Sequence, residues 1–191
     1  RGLGDVYKRQ IFRWPAKVYV DVIRGTPLLI QIFIIYFALP NIIGERIDPY
    51  IAAVAACSLN SGAYIAEIFR AGIQSIPKGQ SEAARSLGMS AAQTMVSIII
   101  PQTFRNVIPT LTSEFILLYK DTSLLAAVGV MEIVMYAKTI VATTGSITPY
   151  VVAALFYLVV TLPLARVVSL LELRLTGATA GTNAGPLGKK P

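Results

Sequence analysis

The sequence predicts an all-α, polytopic transmembrane helical bundle. Three observations carry that prediction. Apolar residues make up 54% of the 191-residue chain and charged residues only 14%, against about 45–50% and 25% in soluble domains. Mean hydropathy is +0.63. The apolar residues gather into runs near the ~20 residues that cross ~30 Å of hydrocarbon, without the alternation of a β-barrel. Helices satisfy their backbone polar groups internally, as lipid requires.

Four spans read in order. The first is Pro27–Ile43, which opens with Pro at a helix-start position and ends near Pro40, Asn41 and Gly44. The second, Tyr50–Phe69, is opened by Asp48-Pro49. The third, about Val107–Val128, is interrupted in its middle by Lys120-Asp121. The fourth is Pro149–Leu171. A tail rich in Gly, Thr and Ala, Gly177–Pro191, is expected to be disordered. At the other end, Asp5-Val6-Tyr7-Lys8-Arg9-Gln10 resembles the translation of a transposase adapter used in sequencing libraries. Residues 1–10 are therefore expected to lie outside the fold, with a genuine basic leader as the alternative. The membrane domain is expected over residues 11–176.

Net charge is 17 − 10 = +7. Nucleic acid is the usual partner of a basic chain, but here the charge sits in the connectors between apolar runs, which suits topology instead. Arg13, Lys17 and Arg24 precede the first span, and Gly44–Pro49 holds one Arg and two acids. Arg70, Lys78, Arg85 and Arg105 follow the second span; only Lys138 lies in Gly129–Thr148; Arg174, Lys189 and Lys190 close the chain. Under the positive-inside rule this alternation places the 70–105 connector and the C-terminus in the cytoplasm. No nucleic-acid partner is expected.

The same inventory argues against catalysis. The chain has no His and a single Cys57, which lies within an apolar run. No CxxC, HExxH or GxSxG occurs, and Gly185–Lys190 lacks the spacing and the Ser or Thr of a phosphate loop. No catalytic residue, no metal ligand and no ATP site of its own are expected. Only a Ser–Lys dyad, Ser123 with Lys120, keeps an intramembrane enzyme open as a remote alternative, beside a passive channel.

The connector after the second span, residues 75–101, is the most informative stretch. Ile76-Pro77-Lys78-Gly79 stops one helix, Pro77–Leu87 reads as a short helix of about 16 Å, and Gly88 is placed as its C′ residue. Ser90 with Gln93 three residues on makes a capping box that starts another helix. Ala83 and Ala84 offer a small surface, Glu82 and Arg85 polar anchors, and Leu87 and Met89 apolar knobs, a composition suited to a partner's groove. Physics alone allows an ordinary amphipathic connector as well.

A resemblance separates the two. Glu82-Ala83-Ala84, Gly88 four residues later, and the apolar run Ile98-Ile99-Ile100 ending in Pro101 resemble the EAA loop of ABC importer membrane subunits. The run from Ser75 to Ser90 is similar to the polar amino-acid branch of that family. So are Arg24-Gly25-Thr26-Pro27-Leu28-Leu29, Ser58–Gly72 and Lys120-Asp121-Thr122-Ser123-Leu124. Together these cover about Lys17 to Leu175. Departures are mild: Ile100 stands where Leu is usual, and Ser113 where Asn is common. Family members carry one more helix before the Arg24-Gly25-Thr26-Pro27 segment, so a fifth, N-terminal span is expected to be missing.

The resemblance implies a type I ABC importer permease in a bacterial inner membrane, importing polar amino acids or another small solute such as an osmolyte or opine. Glu82, Ala83, Ala84, Arg85, Leu87 and Gly88 would then couple to an ATPase. The implied partners are two cytoplasmic ATPase subunits, which bind ATP and Mg, a second permease copy or paralogue, and an extracytoplasmic solute-binding protein. The permease itself carries no cofactor.

A charge within a span is costly and is a functional hypothesis by default. Lys120, Asp121 and Thr122 interrupt the third span, and Glu114 precedes them. Asn60, Tyr64 and Glu67 share one face of the second span. An amino-acid zwitterion needs a donor such as Lys120 and acceptors such as Asp121 or Glu67. Mutual neutralisation of Lys120 and Asp121 is the alternative, and for Glu67 a structural pair with Arg70 is favoured.

Overall fold

The computed structural model describes residues 3–182, with side chains over residues 13–173. Every regular element among them is helical: α1 (Leu3–Arg24), α2 (Leu28–Phe33), a π turn (Ile34–Ala38), α3 (Leu39–Ile43), α4 (Pro49–Gln74), α5 (Lys78–Ser86) and α6 (Ala91–Thr94). A second π turn (Met95–Ile99), α7 (Ile100–Asp121), a 3-10 segment (Thr122–Val128), α8 (Ile133–Thr144) and α9 (Thr148–Thr182) complete the order. Two of the described helices, Pro49–Gln74 and Thr148–Leu173, are long and apolar enough to cross a membrane. Two bent pairs raise the number of crossings to as many as four: Arg13–Arg24 with Leu28–Ile43 at 107°, and Ala91–Val128 with Ile133–Thr144 at 46°.

Local chemistry sets these boundaries. Gly25 donates to Asp21 O (2.9 Å), a Cβ there would meet that same oxygen at 2.8 Å, and Pro27 caps α2 with an extended backbone. The chain therefore turns sharply between α1 and α2. α3 stops at Gly44, which takes φ +79°. α4 opens at Pro49, and the Asp48 carboxylate accepts from Tyr50 N (2.8 Å) and Ile51 N (3.3 Å), satisfying donors the first turn leaves orphaned.

Several sequence expectations change. The segment before Pro27 is helical, so the first crossing is a bent pair rather than a lone run. Gly129–Thr148 is not a plain loop, because it contains α8. Lys120-Asp121 do not break a helix in its middle: α7 runs through both and then tightens to 3-10 winding. α1 begins at Leu3, within the segment expected to lie outside the fold, and α9 runs past Gly177 to Thr182, since extending a formed helix costs little. Residues 1–2 and 183–191, with Lys189, Lys190 and the rest of the expected tail, lie outside the described residues.

The chain forms two compact units. One runs through Ile68 and takes in Leu117–Leu158. Its core joins Leu28 and fully buried Ile32 to Ala53 and Ala56 of α4 and to Leu125, Val128 and Val130. Alanines on α4 let neighbouring backbones come close, the packing helices use where lipid removes the hydrophobic drive.

The other unit holds Phe69–Ile116 and the chain from Val159 onward. There the end of α4 meets the start of α7. Phe69 and Phe104 pack edge to face (5.4 Å), Asn106 Nδ2 donates to Ser75 Oγ (3.2 Å), and Gly72 lies against Val107 and Thr103. α5 folds back onto the second π turn, which continues α6 without a break.

Candidate functional site

The α5–α6 corner is built by two local devices. At the end of α5, Leu87 N donates to Ala83 O (3.1 Å), Gly88 N to Arg85 O (3.0 Å) and Met89 N to Ala84 O (3.1 Å). The last two bonds make a Schellman closure, and Gly88 takes the left-handed φ of +84° that it needs. Two residues on, Ser90 Oγ accepts from Gln93 N (3.2 Å) while Gln93 Oε1 accepts from Ser90 N (2.9 Å). This is the reciprocal capping box. The reversal is therefore held by a backbone closure at Gly88 and a side-chain cap from Ser90 and Gln93.

The face this corner presents is narrower than the composition suggests. Ala84 is 5% exposed and turned inward, so Ala83 alone supplies the small outward surface. The reason is the helical period: a nine-residue helix lying on its own chain must bury one side, and Ala84 falls on it. Glu82, Arg85 and Gly88 are exposed, and Leu87 is 85% exposed.

Within the first unit, Asn60, Tyr64 and Glu67 do share a face of α4, and that face is turned to α1 and α2. Asn60 Nδ2 donates to Gln31 Oε1 (3.0 Å), with Asn60 7% and Gln31 6% exposed. Gln31 Nε2 in turn donates to Ile23 O (2.8 Å), Thr26 O (3.0 Å) and Thr26 Oγ1 (3.0 Å), clasping the 107° bend. The Tyr64 ring lies 5.4 Å from the Arg24 guanidinium, and Glu67 pairs with Arg24 at 3.5 Å. The structure thus adds a long-range partner for Glu67, while Arg70 donates to Gln74 (2.7 Å). These contacts fasten α1 and α2 to α4.

Lys120 is exposed and Asp121 half-buried at the end of α7, and Thr122 Oγ1 donates to Tyr119 O (2.7 Å). Glu114, half-buried, belongs to the other unit. Sequence reasoning missed Gln31 and Glu132. The Glu132 carboxylate caps α8 by accepting from Val134 N (2.8 Å) and Met135 N (2.6 Å), and it also accepts from Tyr157 Oη (3.2 Å). Glu is not a favoured cap residue, so only an acid directly before the apolar run Ile133-Val134-Met135 could have pointed to it.

Comparison with known proteins decides the assignment. The sequence profile described as "Binding-protein-dependent transport system inner membrane component" matches residues 2–177. The chain belongs to this family. It is therefore a membrane component of a transport system. The family's arginine transport system permease protein ArtQ of Bacillus subtilis is 41% identical over 86% of this chain and 75% of its own length. The glutamine transport system permease protein GlnP of Escherichia coli K12 is 42% identical over 91% and 80%. A crystal structure of an amino acid ABC transporter with histidines superposes with a TM-score of 0.82 at 41% identity, over 86% of this chain and 77% of that one.

Proposed function

We propose that this chain is the permease subunit of an ATP-driven importer for polar amino acids, and that the α5–α6 corner is where its ATPase docks. The observation that carries the proposal is the corner itself. It is a short exposed helix that is closed by Gly88, restarted by Ser90 and tipped by Leu87. The relatives named for arginine and glutamine support the substrate class.

The geometry supports a mechanism of coupling through this corner. The Lys and Arg asymmetry puts this corner and the C-terminus in the cytoplasm. Two ATPase subunits there bind ATP and Mg²⁺. This permease pairs with a second copy or a paralogue, and an extracytoplasmic binding protein delivers solute. Leu87 and Ala83 seat in the ATPase, with Glu82 and Arg85 as polar anchors. When the ATPases close, α5 is carried with them. The Schellman closure and the capping box leave no slack, so the displacement passes into the second π turn and α7. At the far end of α7, Lys120, Asp121 and Thr122 meet the zwitterion, with Glu114 along the same helix. Asn60, Tyr64 and Glu67 hold the α1–α2 bend against α4 while this happens.

The test is co-purification of the chain with the ATPase subunit of an amino-acid importer, comparing wild type with Gly88→Asp. Nothing lies within 4 Å of a Cβ at Gly88, so the variant adds a charge to the exposed corner and a side chain at φ +84° without a clash. The backbone strain is at most about 1–2 kcal/mol, since Asp tolerates this conformation better than most residues. The expected result is retention of wild type, loss of the variant, and unchanged membrane insertion. Normal ATP-dependent uptake by Gly88→Asp refutes the docking role.

A further inference from the structure

We infer that Glu132 and Tyr157 are positioning residues for the Lys120–Asp121–Thr122 corner, an inference that rests on that corner being the amino-acid contact proposed above. The corner lies where α7 gives way to the 3-10 segment. Two windings of similar energy meet there, and such a junction is soft unless something selects one shape.

A polar clamp selects it. Tyr119 and Thr122 bracket Lys120 and Asp121, and Thr122 Oγ1 donates to Tyr119 O (2.7 Å), closing the turn on itself. Both bracketing residues meet Tyr157 of α9. The Tyr119 and Tyr157 rings lie 5.3 Å apart at 55°, and the Tyr157 hydroxyl lies beside Thr122. That hydroxyl also donates to Glu132 Oε2 (3.2 Å).

Glu132 cannot swing away, because its two oxygens are held by Val134 N (2.8 Å) and Met135 N (2.6 Å) at the start of α8. The result is a chain of restraint from α8 through α9 to the corner. All four side chains are half-buried, so water competes weakly for these bonds. The reach of Lys120 and Asp121 toward a zwitterion is thus fixed by residues that never touch it.

Tyr157→Phe keeps the ring against Tyr119 and removes only the hydroxyl. Glu132→Gln keeps a carbonyl acceptor at the cap, while Glu132→Ala keeps none. The experiment is equilibrium binding of radiolabelled L-arginine and L-glutamine to the detergent-solubilised chain–ATPase complex without binding protein. Each variant's melting temperature is measured alongside. Tyr157→Phe is expected to weaken binding roughly threefold to tenfold, the loss of one net hydrogen bond. Its melting temperature should fall by no more than a few degrees, the same bond's share of stability, and its ATPase retention should not change. Glu132→Gln should stay within about twofold of wild type and Glu132→Ala should weaken binding at least as much as Tyr157→Phe. Wild-type binding by Tyr157→Phe, or losses that merely follow melting temperature, overturn the positioning role and leave the importer reading intact. If the wild-type complex binds neither amino acid, the substrate class is wrong and the positioning role falls with it.

Discussion

Replacing Gly72 by alanine puts a methyl group where Val107 already stands. A Cβ built at Gly72 lies 2.2 Å from Val107 Cγ1, 3.2 Å from Thr103 Cγ2 and 3.7 Å from Val107 Cβ. Carbon atoms in favourable contact sit about 3.5–4.0 Å apart. The Val107 methyl would have to retreat by more than an ångström, or α4 and α7 would have to part. Val107 is 2% exposed and β-branched, so it holds one rotamer in a helix and has little room to turn. Overpacking of this kind costs about 1–3 kcal/mol. Against it stands a gain of about 1 kcal/mol for alanine over glycine in a helix interior. The net expectation is a loss of up to about 2 kcal/mol, or up to roughly 4–8 °C in melting temperature. The assay is thermal unfolding in detergent of wild type, Gly72→Ala, Val107→Ala and the double variant. Val107→Ala alone leaves a cavity and destabilises. In the double variant the offending Cγ1 is gone and only the 3.2 Å contact to Thr103 remains tight. The double variant should therefore be more stable than the two single losses predict, with a coupling of about 1 kcal/mol. Additive losses would show that α4 and α7 do not meet at Gly72, and the packing argument would be wrong.

Three further predictions concern polar groups. Gln31→Leu strands the buried Asn60 amide and unclasps the α1–α2 bend, for a loss of about 0.5–2 kcal/mol. Gln31→Leu with Asn60→Leu should recover part of it, and a double variant no more stable than the single contradicts the clasp. Ser90→Ala removes the side-chain half of the capping box at about 1 kcal/mol, and amide exchange over residues 91–99 should quicken; unchanged exchange means the cap is idle. Lys120→Ala should lower ATP-dependent amino-acid uptake about tenfold or more while ATPase assembly survives, the scale of a lost charged hydrogen bond. Unchanged uptake kinetics would leave Lys120 a structural role only.

What could be read from the sequence was what short-range chemistry decides. Gly88, Ser90 and Gln93 sit within six residues, and each acts on backbone groups next to it, so the corner was legible as written. Asp48-Pro49 announced the start of α4 for the same reason. Two helices escaped. Residues 13–24 carry charges that made them look like a connector, although they belong to α1, whose Arg24 meets Glu67 of α4. Ile133–Thr144 has 12 residues, about 18 Å of helix, too short to register as a span. Pairings across the chain were also hidden. The spacing of Asn60, Tyr64 and Glu67 reveals a common face but not what faces it. Gln31 and Arg24, the residues that answer, lie 29 and 43 positions away from Asn60 and Glu67.

The buried face of α4 carries Ala52, Ala53, Ala56 and Ala63. Alanine has no rotamers to choose among. At these four positions the relief is therefore written by the main chain, and a neighbour pressing on them finds nothing that can yield by turning a bond. A push arriving there is neither absorbed nor delayed by side-chain rearrangement. In a membrane component of a transport system, that makes α4 a bearing surface: hard, smooth, and indifferent to which way the load travels.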